Sequence, residues 1–175
     1  MNLKSTPTRY GLVAIAIHWS SALAVILTFA AGLVMANSAP VPPALLVAHI
    51  VLGSLVFLLT LLRIVWWIVA DKRPAPAPGQ PRWQELTAKF VHAGLYVILV
   101  LMATSGITTI VLSGAVPALV AGVPVPDFSD LIPRVAHGIM SKILLALFAL
   151  HVGAALYHQL VRRDHLLARM GVGAA

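Results

Sequence analysis

Along this chain the charged positions fall in short patches, and between them lie four long apolar runs. Gly11–Ala36, Phe90–Leu112 and Ile143–Val161 hold no Asp, Glu, Lys or Arg, and Ala44–Leu62 holds none before the run continues past Arg63 to Ala70. A hydrocarbon layer about 30 Å thick is crossed by roughly 20 helical residues, so each run is long enough to span it. Backbone polar groups find no water there, and a helix satisfies them within the segment itself. The pattern predicts an all-α integral membrane protein, a four-helix bundle with spans over about 10–36, 44–70, 86–112 and 134–162. Breakers separate the runs: Asn37-Ser38-Ala39-Pro40 with Pro42-Pro43, the proline-rich stretch Pro74–Pro81, and Ser113-Gly114 followed by prolines at 117, 124, 126 and 133. Two of these links are too short to hold a domain, so residues 1–175 read as one transmembrane domain. The first run exceeds the apolar core of a cleaved signal peptide, about 7–15 residues, and reads as a span.

Composition sharpens this picture. With 60% hydrophobic and 10% charged residues and a mean hydropathy of +0.96, the chain is neither an ordinary soluble domain nor a disordered polyelectrolyte. Its formal charge of +7 does not indicate nucleic acid, because the basic residues form no stripe. They flank the spans instead. Lys4 and Arg9, then Lys72, Arg73, Arg82 and Lys89, then Arg162, Arg163 and Arg169 fall on one side, which the positive-inside rule makes cytoplasmic, together with both termini. The other side has the uncharged Asn37–Pro43 link and the Ser113–Pro133 link, with Asp127, Asp130 and, just after it, Arg134. That second link is apolar around Val116–Val125 and is expected to lie on the outer membrane surface as a cap.

The chain has no cysteine, which excludes disulfides, thiolate metal sites, iron–sulfur clusters and thioether-attached haem. Histidine carries the candidate chemistry. His165 lies in the charged tail and reads as solvated, whereas His18, His49, His92, His137, His151 and His158 lie in or near the spans. A single intramembrane imidazole is commonly bonded to a neighbouring helix; six of them point to a bound group or a pathway. By depth, His49 and His137 share an outer level, and His18 and His151 a more inward one. His137 and His151 are fourteen positions apart, about 21 Å along a helix and within roughly 40° of the same direction, so both face one interior. Two levels with two imidazoles each suit two haem irons with both axial positions filled; zinc or copper asks for three or four ligands at one level. His158 repeats the same face, and His92 lies near the inner surface, so a His92–His158 pair stays open, although depth favours His18 with His151. His158 then reads as a proton donor or quinone contact. Glycines at 11, 32, 53, 94, 106, 138 and 153 admit close approach of helices or of a flat macrocycle, and plain packing accounts for each equally well.

Ile17-His18-Trp19, Ala48-His49-Ile50 with Gly53, Arg63, His92 with Tyr96, and Ala136-His137-Gly138 with Leu150-His151 and Tyr157-His158 together resemble the bacterial cytochrome b561 family. The resemblance covers nearly the whole chain in order, including the proline-rich inner loop and the basic tail. It implies a multi-pass protein of the bacterial inner membrane with two non-covalent haem b groups, the inner ligated by His18 and His151 and the outer by His49 and His137. It also implies electron transfer between a donor and membrane quinone, and one branch of the family is similar to a superoxide oxidase that reduces ubiquinone. Lys142 in the fourth span and the apolar outer link depart from that pattern.

Haem propionates need cations near the membrane surface, and Arg63, Arg134 and Lys142 are the candidates. Arg63 is equally able to snorkel to the inner interface. Arg134, three residues before His137, is placed to meet an outer propionate or to draw in superoxide. Lys142 lies about 140° from the ligand face and reads as snorkelling outward. Trp19, Trp66, Trp67 and Trp83 read as interface aromatics, with Trp19 also beside His18. The expected function is a dihaem cytochrome, a quinone-linked oxidoreductase that moves electrons from a periplasmic-side donor to quinone, with His158 giving a proton. The alternative is a haem-bearing membrane anchor of a larger dehydrogenase. A proton or metal transporter is disfavoured because no acidic residue lies within a span.

Overall fold

The computed structural model describes residues 2–38, 40–76 and 79–173; Ala39 of the first link and Ala77 and Pro78 of the second lie outside them. Five α-helices follow in order: α1 (Leu12–Ala36), α2 (Pro43–Val65), α3 (Arg82–Ser113), α4 (Ala115–Ala121) and α5 (Ile132–Tyr157). α2 and α5 each run on into a π-helical turn, Trp66–Ala70 and His158–Arg162, and a 3₁₀ turn follows at Leu166–Met170. With those turns, four helices are long and apolar enough to cross a membrane, and no strand occurs among the described residues.

Local chemistry sets the ends. Pro43 opens α2 and Pro133 sits in the first turn of α5, where the absent N–H has no partner to lose. α3 ends at Gly114, whose φ of 68° closes the helix in the left-handed region. α3 begins at Arg82, ahead of the predicted start, because Pro81 caps it and Glu85 pairs with Lys89 at 2.6 Å one turn on, which extends a polar turn beyond the apolar run.

The helices pack as two pairs. α1 lies along α2, α3 lies along α5, and α2 meets α3 more lightly, whereas α1 and α5 have little backbone contact. The buried apolar core is correspondingly small, with Ile17, Ala24, Val56, Val91, Ile98 and Leu144 prominent in it. Large apolar residues such as Ile68, Phe90 and Val111 point outward, as lipid contact requires.

Both termini lie at one end, where three separated segments are tied together. Asp71 accepts from the Ser5 amide (3.0 and 3.1 Å), the Ser5 hydroxyl (2.7 Å), the Lys72 amide (2.8 Å) and the Trp66 indole (3.2 Å). Arg169 donates to the carbonyls of Thr8 (2.8 Å) and Ala75 (2.7 Å), and Trp19 donates to that of Met170 (3.1 Å). Gly11 makes this possible: a Cβ there would collide with the backbone of Leu3 and Lys4. At the opposite end the apolar link forms α4, which buries Ala115 and Ala118 and closes on Gly122.

Candidate cofactor site

Two pairs of imidazoles face each other across the gap between the helix pairs. His49 on α2 and His137 on α5 have ring centres 6.1 Å apart at 71°, and His18 on α1 and His151 on α5 have ring centres 6.1 Å apart at 72°. Two imidazoles that hold one ion from opposite sides, each nitrogen about 2.0–2.1 Å away, have ring centres roughly 6.4 Å apart. The spacing therefore fits one metal centre between each pair. Among the described residues no group of three His, Asp or Glu converges as a zinc site would need.

The pair nearer α4 is set for ligation by its surroundings. His49 donates from Nδ1 to the Thr28 carbonyl (3.0 Å), and His137 donates from Nδ1 to the Met102 carbonyl (3.1 Å), with the Ser105 hydroxyl also 3.0 Å away. A carbonyl only accepts, so each proton sits on Nδ1 and each Nε2 keeps its lone pair for a metal. Glycine gives both rings room: a Cβ on Gly32 would stand 3.1 Å from Cε1 of His49, and one on Gly106 3.3 Å from Cε1 of His137. Arg134 folds back over Gly138, 3.3 Å from where a Cβ would be.

The second pair borders a cavity that reaches between all four long helices, with about 690 Å³ of atom-free space including its open mouth. Its walls include His18, His92, His151, Arg63 and Tyr96. His92 lies 5.2 Å from His151, ring centre to ring centre. Arg63 does not snorkel out; it turns into the cavity, donates to Nδ1 of His18 at 2.9 Å and lies 5.9 Å from the Tyr96 ring centre. Its buried Nε has no partner among the described residues. A half-buried guanidinium with a spare, buried Nε donor in an apolar wall suits the carboxylate of an anionic cofactor. A guanidinium only donates, so this contact puts the His18 proton on Nε2. Metal ligation through Nε2 therefore requires Arg63 to release His18.

The remaining candidates lie apart. His158 is in the π turn after α5, with Nδ1 2.5 Å from the Asp164 carboxylate and its ring against Tyr157. Lys142 is exposed. Trp19 stacks edge-on against His18, 5.1 Å between centres. Thr28, Met102, Ser105 and Asp164 were not singled out in the sequence. A carbonyl acceptor leaves no trace in residue type, but Asp164, six residues after His158, was visible as the acid nearest that histidine.

Four lipid-length helices around two facing imidazole pairs and an internal cation define a membrane protein suited to flat, metal-centred, anionic cofactors. The sequence profile described as Prokaryotic cytochrome b561 matches residues 9–173, and the chain belongs to that family. It is a multi-pass prokaryotic membrane cytochrome of the b type, a haem-binding electron-transfer protein. Among curated proteins it is similar to cytochrome b561 homolog 2 of Escherichia coli (strain K12), 28% identical over 189 aligned positions that cover 97% of this chain and 95% of the relative. It is also similar to cytochrome b561 homolog 1 of the same organism, 29% identical over 103 positions, 55% of this chain and 58% of the relative. No solved structure gives a significant match.

Proposed function

We propose that this chain is a dihaem cytochrome that takes electrons from a small donor at the α4 end, with superoxide the candidate, and delivers them to membrane quinone at the end carrying the termini. His49 and His137 would hold one haem b and His18 and His151 the other. The observation that carries this reading is the pair of matched 6.1 Å imidazole separations. When bound, haem b would supply a one-electron couple.

The protein's own side chains have distinct tasks. The Thr28 and Met102 carbonyls hold the His49 and His137 rings in the ligating tautomer. Arg63 supplies positive charge to the propionates in the cavity, and Arg134 draws anions to the α4 end. The terminal end, with Lys4, Arg9, Lys72 and Arg73 nearby, is the cytoplasmic one. Two superoxide ions give up one electron each and leave as dioxygen; quinone takes up those two electrons with two protons. His158 gives one of the protons. Asp164 accepts from Nδ1–H, so the proton that His158 gives and regains is the one on Nε2.

Purified protein tests this directly. The expected results are two pyridine-haemochrome equivalents per chain, and quinone-dependent reoxidation after rapid anaerobic mixing with superoxide. Zinc or copper in place of haem would overturn the cofactor assignment, and a protein that superoxide does not reduce would overturn the donor.

A further inference from the structure

The two helix pairs carry the same positions. Adding 74 to an α1 number (92 − 18) takes His18 to His92, Thr28 to Met102 and Gly32 to Gly106. The carbonyl that accepts from His49 thus maps onto the carbonyl that accepts from His137, and the glycine under one ring maps onto the glycine under the other. Adding 88 to an α2 number (137 − 49) takes Val47-Ala48-His49 to Val135-Ala136-His137 and Arg63 to His151. Burial repeats at three mated pairs. Ile17 and Val91, Ala24 and Ile98, and Val56 and Leu144 are three mated pairs, and all six residues are buried.

The cavity wall repeats in the same register. On α1 and α3, Ser21 maps onto Leu95, Ala22 onto Tyr96 and Val25 onto Leu99, and all six line the cavity. Thr60 of α2 and Phe148 of α5 are mated there too. α2 and α5 also each end in a π turn, offset by 92 positions (158 − 66) rather than 88. The two offsets differ because the link holding α4 is longer than the Asn37–Pro42 link.

We infer that α1–α2 and α3–α5 are two copies of one histidine-bearing unit, and that Arg63 and His92 form a second ligand diagonal, equivalent to His151 and His18. The inference rests on the ligand assignment proposed above. Near α4 the mated residues are His49 and His137, so the two copies supply one pair between them. In the cavity the copies supply two crossing diagonals. His18 with His151 is one, and His92 with Arg63 is its mate. Arginine at 63, where the other copy has histidine, leaves His92 without an imidazole opposite it. That single residue decides which diagonal binds iron, and it turns the unused position into the cavity's half-buried cation. It also accounts for His92, which lies 5.2 Å from His151 just as Arg63 lies against His18.

Exchanging the two mated residues tests this without changing composition or charge. The double variant R63H/H151R is expected to bind two haems per chain by pyridine haemochrome, whereas H151R alone binds one. Within the exchanged chain, H92A is expected to remove a haem and H18A to leave both, the reverse of their effects in the parent chain. An exchanged chain with one haem or none, or one that depends on His18 as the parent does, would overturn the equivalence. Parent H18A that keeps two haems would instead overturn the ligand assignment, which keeps the two failures apart.

Discussion

The imidazole of His49 on α2 donates from Nδ1 to the carbonyl of Thr28 on α1 across 3.0 Å, with Gly32 beneath its Cε1. One backbone atom thus fixes the tautomer, and one absent side chain fixes the ring position. The Gly32→Val variant should therefore lose most of the haem proposed for His49 and His137, because the added atoms occupy the ring's place. Gly106→Val should do the same through His137. Gly153→Ala should change nothing, since a Cβ there meets no atom within 4 Å. Haem-to-protein ratios of the three variants check this.

Ser105 shares the His137 Nδ1 proton with Met102 while passing its own hydroxyl proton to the same carbonyl at 2.9 Å. With His137 as the proposed ligand, its acceptance would make the imidazole a slightly stronger donor to iron and favour the oxidised state. Ser105→Ala should keep both haems and raise one midpoint potential, by on the order of 20 mV, as expected for part of a hydrogen bond worth about 1 kcal/mol. A spectroelectrochemical titration reads the shift, and a fall in potential would contradict the assigned donor direction.

Arg63 is a cation lining the cavity, with no carboxylate bonded to it among the described residues. A nearby positive charge favours the reduced cofactor. Arg63→Gln should lower the midpoint of the haem proposed for His18 and His151 by roughly 70–120 mV, the size expected for one charge about 6–10 Å away in a medium of effective dielectric about 20. Arg63→Lys should hold the potential near its original value. Equal potentials in parent and Gln variant would place the charge away from the cofactor.

His158 pairs with Asp164 and touches none of the four facing imidazoles. His158→Ala should keep both haems and the reduced spectrum unchanged, and slow reoxidation by quinone about 10²-fold or more, as loss of a proton donor does. Asp164→Asn should slow it less. Loss of a haem in the His158 variant would make that residue a ligand.

Asp71 holds the terminal end together, and its environment pulls in two directions. Partial burial disfavours its charge, but the Ser5 hydroxyl and amide, the Lys72 amide and the Trp66 indole outweigh that and keep its carboxyl below the ordinary 3.8. A depressed carboxyl stabilises the fold above its unfolded pKa, and this contribution is lost as pH falls through the folded one. Thermal stability should therefore fall as the medium is acidified below about pH 4, and Asp71→Asn should weaken that dependence. Melting curves of both proteins in detergent between pH 3 and about 6 provide the comparison.

The sequence by itself determined the four helices and the levels of their histidines. Run length against bilayer thickness defines a span, and a fixed rise and turn per residue place His18, His49, His137 and His151 at two depths on interior faces. The matched glycines, the Val-Ala-His repeat and the positions of Arg63 and His92 were also present in it, although their equivalence becomes clear only once the helices are paired. Tertiary structure alone decided where each proton sits and where Arg63 turns. The acceptors are backbone carbonyls on a neighbouring helix, and a carbonyl is the same in every residue, so Thr28 and Met102 carry no sequence signal for that role. The direction of Arg63 depends on an opening between helix pairs that no single helix reveals. The clasp of Ser5, Asp71, Thr8, Ala75 and Arg169 joins segments far apart in the chain, and no local pattern records such contacts.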